Sequence, residues 1–172
     1  AYLTFNATLG EKSFGRLRFE TNQSGEFETY TFKTQVKDLY LGWNLGRQRL
    51  VAGLTSTVTY DLIEQIWGFR HLARTPMDLQ GVPSRDTGLS LSGPLDASGS
   101  FSYRAMVGAG LEFQADSSDS TKWMGAVTWK PAPGWTVDLY ADYEDLSGAG
   151  QRSTVQAFLA WQGQDLRWGM QY

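Results

Sequence analysis

From Trp135 to Glu144 apolar and polar residues alternate without a break. Trp135, Val137, Leu139, Ala141 and Tyr143 fall on one side, and Asp138, Tyr140, Asp142 and Glu144 on the other. A period of two is the mark of a β-strand, whose successive side chains point to opposite faces; a helix would repeat every 3.6 residues. The same split recurs elsewhere. Residues 37–46, KDLYLGWNLG, set Leu39, Leu41, Trp43 and Leu45 against Tyr40, Gly42, Asn44 and Gly46. Residues 99–110 set Phe101, Tyr103, Ala105, Val107 and Ala109 against Ser102, Arg104, Met106 and Gly108. Strands are predicted at about 1–10, 13–22, 27–36, 38–46, 48–57, 86–95, 99–110, 121–131, 134–146, 153–163 and 164–172. Their polar faces include Arg16, Arg18, Glu20, Lys33, Arg49, Lys130, Gln156 and Arg167. Helix periodicity is confined to residues 61–72. The pattern predicts an all-β chain folded as an antiparallel meander.

Strands with one apolar and one charged face, repeated over a whole chain, pose a question of solvent. No window approaches the roughly 20 consecutive apolar residues that a membrane-spanning helix requires. The mean hydropathy of −0.35 is that of a polar chain. A transmembrane β-barrel has this same average, because only every second residue meets lipid. The start of the chain carries no signal-peptide pattern, so any such segment is expected to have been removed. Cysteine is absent, which excludes a disulfide framework, a thiolate metal site and a cysteine nucleophile. The formal net charge of −3, with no basic run, gives no reason to expect a nucleic-acid partner.

Connection lengths alternate too. Short turns are predicted at 46–48, 94–99, 131–134 and 163–165, and long segments at 58–85, 111–120 and 146–152. Short turns on one rim and long loops on the other are a habit of outer-membrane barrels. Six of the seven tryptophans, Trp43, Trp123, Trp129, Trp135, Trp161 and Trp168, lie on the aliphatic face of their strands. Five of those six sit near a short turn, where an aromatic girdle at headgroup depth belongs. A soluble β-sandwich, or a surface module binding carbohydrate through its tryptophans, is the alternative reading.

The stretch KDLYLGWNLG (37–46), the strand QRLVAGLTST (48–57), the long loop, RDTGLSLSG (85–93) and FSYRAMVGAG (101–110) together resemble the phosphate-selective porin (porin O/P) family. The later segments GWTVDLYADYED (134–145) and DLRWGMQY (165–172) are similar to further strands of such barrels, so the likeness covers about two-thirds of the chain. The resemblance implies a large antiparallel transmembrane barrel in which residues 58–85 fold inward and constrict the pore. It also implies anion preference from basic side chains at Arg70, Arg74 and Arg85 and on the facing wall at Arg104. Barrels of bacterial single chains have even strand numbers, and aqueous channels need about 16–18 strands. The 11 strands counted here therefore point to a miscount or to part of a larger even-stranded barrel. Tyr172, after Leu166, Trp168 and Met170, is alternatively a C-terminal aromatic signal for barrel insertion.

Candidate chemistry is thin. His71 is the sole histidine and has no Ser, acid or ligand partners nearby in sequence, so no enzyme and no cofactor is expected. Asp116 and Asp119 read as a polar loop without the spacing of a calcium site. Asp138, Asp142 and Glu144 form an acidic ladder that either binds a cation or pairs with basic residues on neighbouring strands. Glycines such as Gly42, Gly53 and Gly88 precede no helix in a phosphate-binding pattern; they suit bends and close strand approach. Inward-facing charge is modestly basic, counting Lys130 and Arg167 with the arginines above, and a basic pore lining favours anions. The expected function is therefore a porin-type channel in a bacterial outer membrane, passing small hydrophilic solutes with weak anion preference. Its partners are membrane lipid and small anions or other solutes, and a homo-oligomeric, trimeric assembly is compatible with it. A barrel that scaffolds a larger outer-membrane complex shares every one of these features.

Overall fold

The alternating segments do pair as strands, each hydrogen-bonded to its neighbour in sequence. The computed structural model describes residues 1–24, 31–69, 72–110, 120–146 and 150–172. Its strands are β1 (Tyr2–Thr8), β2 (Ser13–Ser24), β3 (Thr31–Leu45), β4 (Gln48–Ser56), β5 (Arg85–Pro94), β6 (Phe101–Gly108), β7 (Thr121–Trp129), β8 (Trp135–Asp145), β9 (Gln151–Gln162) and β10 (Arg167–Gln171). Two helices, α1 (Tyr60–Trp67) and α2 (Pro76–Leu79), lie between β4 and β5. All strands belong to one antiparallel sheet in the order β1 to β10, a meander without crossovers. Among the described residues β1 and β10 are not bonded to each other, so the sheet is open.

The count is 10 strands among the described residues, not 11. Residues 27–36 and 38–46 were expected as two strands, whereas Thr31–Leu45 is continuous. The register steps between Arg18 and Phe19 of β2, which face Asp38 and Val36 respectively. Lys37 is thus the extra residue of a β-bulge, which shifts the side-chain parity and makes one strand look like two. A second difference lies in the 146–152 segment, where β9 already begins at Gln151 and takes Arg152 with it.

In such a meander successive connections leave from opposite ends of the sheet. Residues 9–12, the two-residue turn Gly46–Arg47, and residues 95–100, 130–134 and 163–166 share one end. The segment 57–84 leaves from the other.

Burial on this sheet follows the alternation, and charged side chains share the buried face. On β7 and β8 the residues that avoid solvent are Lys122, Met124, Ala126 and Thr128, then Thr136, Asp138, Tyr140, Asp142 and Glu144. Their immediate neighbours face outward: Trp123 is 61% exposed and Leu139 56%, whereas Asp138 is 0% and Glu144 1%. Leu39, Leu41, Leu89, Val127 and Val155 are exposed in the same way.

The segment 57–84 explains why the charged face is dry. Val58, Ile63, Ile66 and Met77 pack against Met106, Met124, Ala126, Tyr140, Phe158 and Ala160 of the sheet. Ile63 and Ile66 are three residues apart on α1 and so lie on one helical face, which is the face turned to the wall. Burying such side chains contributes about 1.5–3 kcal/mol each.

Candidate functional site

The inner face is built from three groups of charge, each spread over several strands. The first surrounds Asp38, which the bulge at Lys37 brings to the inner face. Its carboxylate accepts from Arg85 Nε at 2.8 Å and lies 3.4 Å from Arg18 Nε and 3.9 Å from Arg16. Arg85 also donates to Asp61 of α1 at 3.0 Å. Beside it, Lys37 pairs with Glu20 at 3.0 Å, so two adjacent residues of the bulge both find partners on this face.

The second group centres on Asp138. It accepts from the Arg104 guanidinium, from Thr128 Oγ1 at 2.6 Å and from Thr59 Oγ1 at 2.5 Å. Cross-strand pairing of Arg104 with Ala126 and of Thr128 with Asp138 keeps these residues on one face of β6, β7 and β8.

In the third group Lys122, 1% exposed, lies 3.1 Å from Asp142 and 3.6 Å from Glu144. Asp142 further accepts from Tyr140 Oη at 2.5 Å and from the Thr154 amide at 3.0 Å. Arg152 donates to Glu144 at 2.7 and 3.1 Å. Asp86, also fully buried, accepts from the amides of Gly110 at 2.9 Å and Thr87 at 2.7 Å. Buried charges endure only when paired and hydrogen-bonded in this manner. The acidic ladder Asp138, Asp142 and Glu144 is therefore paired with Arg104, Lys122 and Arg152 respectively, and no metal-ligating cluster occurs among the described residues.

Of the basic residues singled out by sequence, Arg104 lines a cavity of about 270 Å³ with Arg16, Arg49, Tyr40, Ser90 and Ser92. Arg85 is not a free cation: it opens β5, is buried and is consumed by Asp38 and Asp61. Arg74 is exposed and pairs with Asp78 at 3.7 Å. It lines a different and more apolar cavity with Ile63, Trp67 and Phe158, so it does not face Arg104. Lys130 follows β7 at the short-turn end and is exposed. Arg167 is exposed at the start of β10, its guanidinium 5.4 Å from the Phe69 ring. Arg70 and His71, like Asp116 and Asp119, lie outside the described residues.

The tryptophans gather at one end. Trp135 and Trp161 are cross-strand partners, as are Trp161 and Trp168. Trp135 and Trp168 meet edge to face at 5.5 Å, and Trp129 stacks on Phe101 at 5.7 Å. Trp123, Trp129, Trp135 and Trp168 are exposed, while Trp43 and Trp161 are half-buried. Trp123 alone of the six lies at the far end of its strand, beside the β6–β7 connection. In the turn at this end, the Ser98 hydroxyl holds the Asp96 carboxyl below the usual carboxylate range.

Sequence reasoning missed Asp38, Asp61, Thr59, Asp86, Lys122 and Arg152. Some left a trace, since Asp38 opens the KDLYLG motif and Arg85–Asp86 opens RDTGLSLSG. Thr59 left none, because its partner Asp138 is 79 residues away. Against family models, curated proteins and solved structures, the chain has no match.

Proposed function

We propose that this chain is the wall of a bacterial outer-membrane β-barrel, a porin-type channel for passive diffusion of small hydrophilic solutes with a weak preference for anions. One observation carries the reading: on β7 and β8 charged and polar side chains share the buried face while the aliphatic and aromatic ones opposite are exposed, and exposed leucines or valines recur on β3, β5 and β9. In water this arrangement wastes the hydrophobic effect, while in lipid it uses it. The tryptophan cluster at the short-turn end fits an interfacial girdle. Arg16, Arg49 and Arg104 around one cavity supply the positive lining, diluted by Asp38 and Asp61 at its edge.

Lipid tolerates no unpaired strand edge, because each orphaned backbone group there costs several kcal/mol. The free edges of β1 and β10 must then be paired in the membrane form, with each other or with further strands. The segment 57–84, packed against the inner face, equally suits a barrel that scaffolds a complex without conducting.

Single cysteines test the orientation. Cysteine at Leu41, Leu139 or Val155 should resist a membrane-impermeant thiol reagent in lipid vesicles and be quenched by lipid-borne probes. Cysteine at Asn44 or Arg49 should react. Equal labelling of both sets in vesicles would end the membrane reading. Planar-bilayer recording then separates channel from scaffold, since only the former carries steady current.

A further inference from the structure

Thr59 stands at the N-cap of α1, where a threonine hydroxyl ordinarily accepts from a backbone amide of the first turn. Here it makes no cap bond. It donates instead to Asp138 on β8, at 2.5 Å, across the inside of the sheet. Thr59 and Asp138 are both 0% exposed, so the bond is made where water cannot compete. A cap contributes about 1 kcal/mol to a helix, and this helix forgoes it for an attachment to the wall.

Asp138 has a second task. Its other oxygen binds the Arg104 guanidinium and Thr128. Arg104 lies against the basic cavity, and its Nε is buried without a hydrogen-bond partner. The charge that this arginine presents to the cavity is therefore whatever Asp138 leaves uncancelled. Resting on the channel reading above, we infer that Asp138 is a positioning residue for permeation, which fixes the inward-packed segment through Thr59 and sets the effective charge of Arg104. Its two oxygens serve the two tasks separately, so the tasks can be separated by substitution.

The test uses the full chain in lipid, comparing the wild type with Thr59→Val and Asp138→Asn. Both changes nearly preserve volume, and an unheated fast-migrating band on SDS gels identifies folded material. Hydrogen exchange read over residues 60–67 should accelerate about tenfold in Thr59→Val, which loses the attachment, and less in Asp138→Asn, whose side-chain amide can still hydrogen-bond the Thr59 hydroxyl. Reversal potential in a salt gradient should behave differently. Thr59→Val, which keeps the Asp138 charge beside Arg104, should shift the anion-to-cation permeability ratio less than Asp138→Asn, which should raise it about twofold, since Arg104 is no longer neutralised. Unchanged exchange in Thr59→Val, which should fold even if Asp138→Asn does not, would overturn the attachment. An unchanged permeability ratio in folded Asp138→Asn, or an equal shift in both variants, would overturn the charge-setting role. A wild-type chain without current would remove the channel reading and the permeation role with it, and the exchange result would still decide the attachment.

Discussion

Strands β8 and β1 carry the same kind of alternation but meet very different surroundings. On β8 every second residue is sealed from solvent, including Asp138 and Glu144. On β1 both faces remain open, and Tyr2, Leu3 and Phe5 are all more than half exposed. Alternation therefore decides which residues share a face, but not whether that face is covered. Cover comes from elsewhere in the chain: the segment 57–84 lies over β6 to β9 and brings its own aliphatic residues to them. Where it lies, charge must be paired in place. Where it does not, water or another surface does the work.

The sharpest way to break this contrast is to remove a cation from the covered face. Lys122→Met leaves Asp142 and Glu144 facing each other without it and should cost about 3–5 kcal/mol, read as a lower urea midpoint for the refolded protein in vesicles. Neutralising all three together, as Lys122→Met with Asp142→Asn and Glu144→Gln, should recover most of that loss. Failure to recover would mean that the lysine contributes packing and not charge balance.

Next is the cover itself. Ile63→Ala should cost about 2–5 kcal/mol through the cavity it leaves, whereas Val155→Ala, on the outward face of β9 and 78% exposed, should cost little. Equal losses would mean that α1 is not docked as described.

A smaller effect tests the open side. Leu139→Arg should destabilise by about 2–4 kcal/mol if that residue sits near the middle of a bilayer, measured by urea unfolding in vesicles. In a water-soluble sheet the same exposed position should tolerate arginine within about 0.5 kcal/mol.

The smallest effect lies at the rim. Ser98→Ala should raise the Asp96 carboxyl pKa towards the ordinary range, as followed by NMR titration, because the serine hydroxyl is the main cause of its depression. A carboxyl depressed on folding adds stability above its unfolded pKa and loses it as pH falls through the folded one. This turn should thus loosen only in acid, and in the variant at a slightly higher pH.

Much of the sheet was legible in the sequence, because parity is a local property. Trp135 to Glu144 announce their faces without reference to any other strand, and four short turns follow from the breaks between alternating runs. The bulge was not legible: a single extra residue at Lys37 inverts parity and mimics a strand boundary. Pairing of the acidic ladder with neighbouring strands was among the expectations, but the particular partners were hidden for a different reason. Whether Arg85 is a free charge depends on Asp38 and Asp61, which lie 47 and 24 residues earlier in the chain. Thr59 is likewise an ordinary helix-capping residue by its local context, and only the packing of the segment against the sheet gives it a partner on β8.

The same face also lacks side chains at one level. Gly53 pairs with Gly88, and Gly88 with Gly108, so three neighbouring strands place no side chain at one level of the inner face. A methyl group at Gly88 would collide with the Val107 carbonyl oxygen, and one at Gly53 with that of Leu39. Tyr40 and Lys122 close the row on either side. A sheet bends most readily towards the side that has least to compress, and glycine at such a level acts as a crease. The row is thus a bare band across three strands, where only backbone can approach backbone so closely. Filling it with alanines one strand at a time should push the neighbouring strands apart at that level, read as a stepwise fall in the urea midpoint.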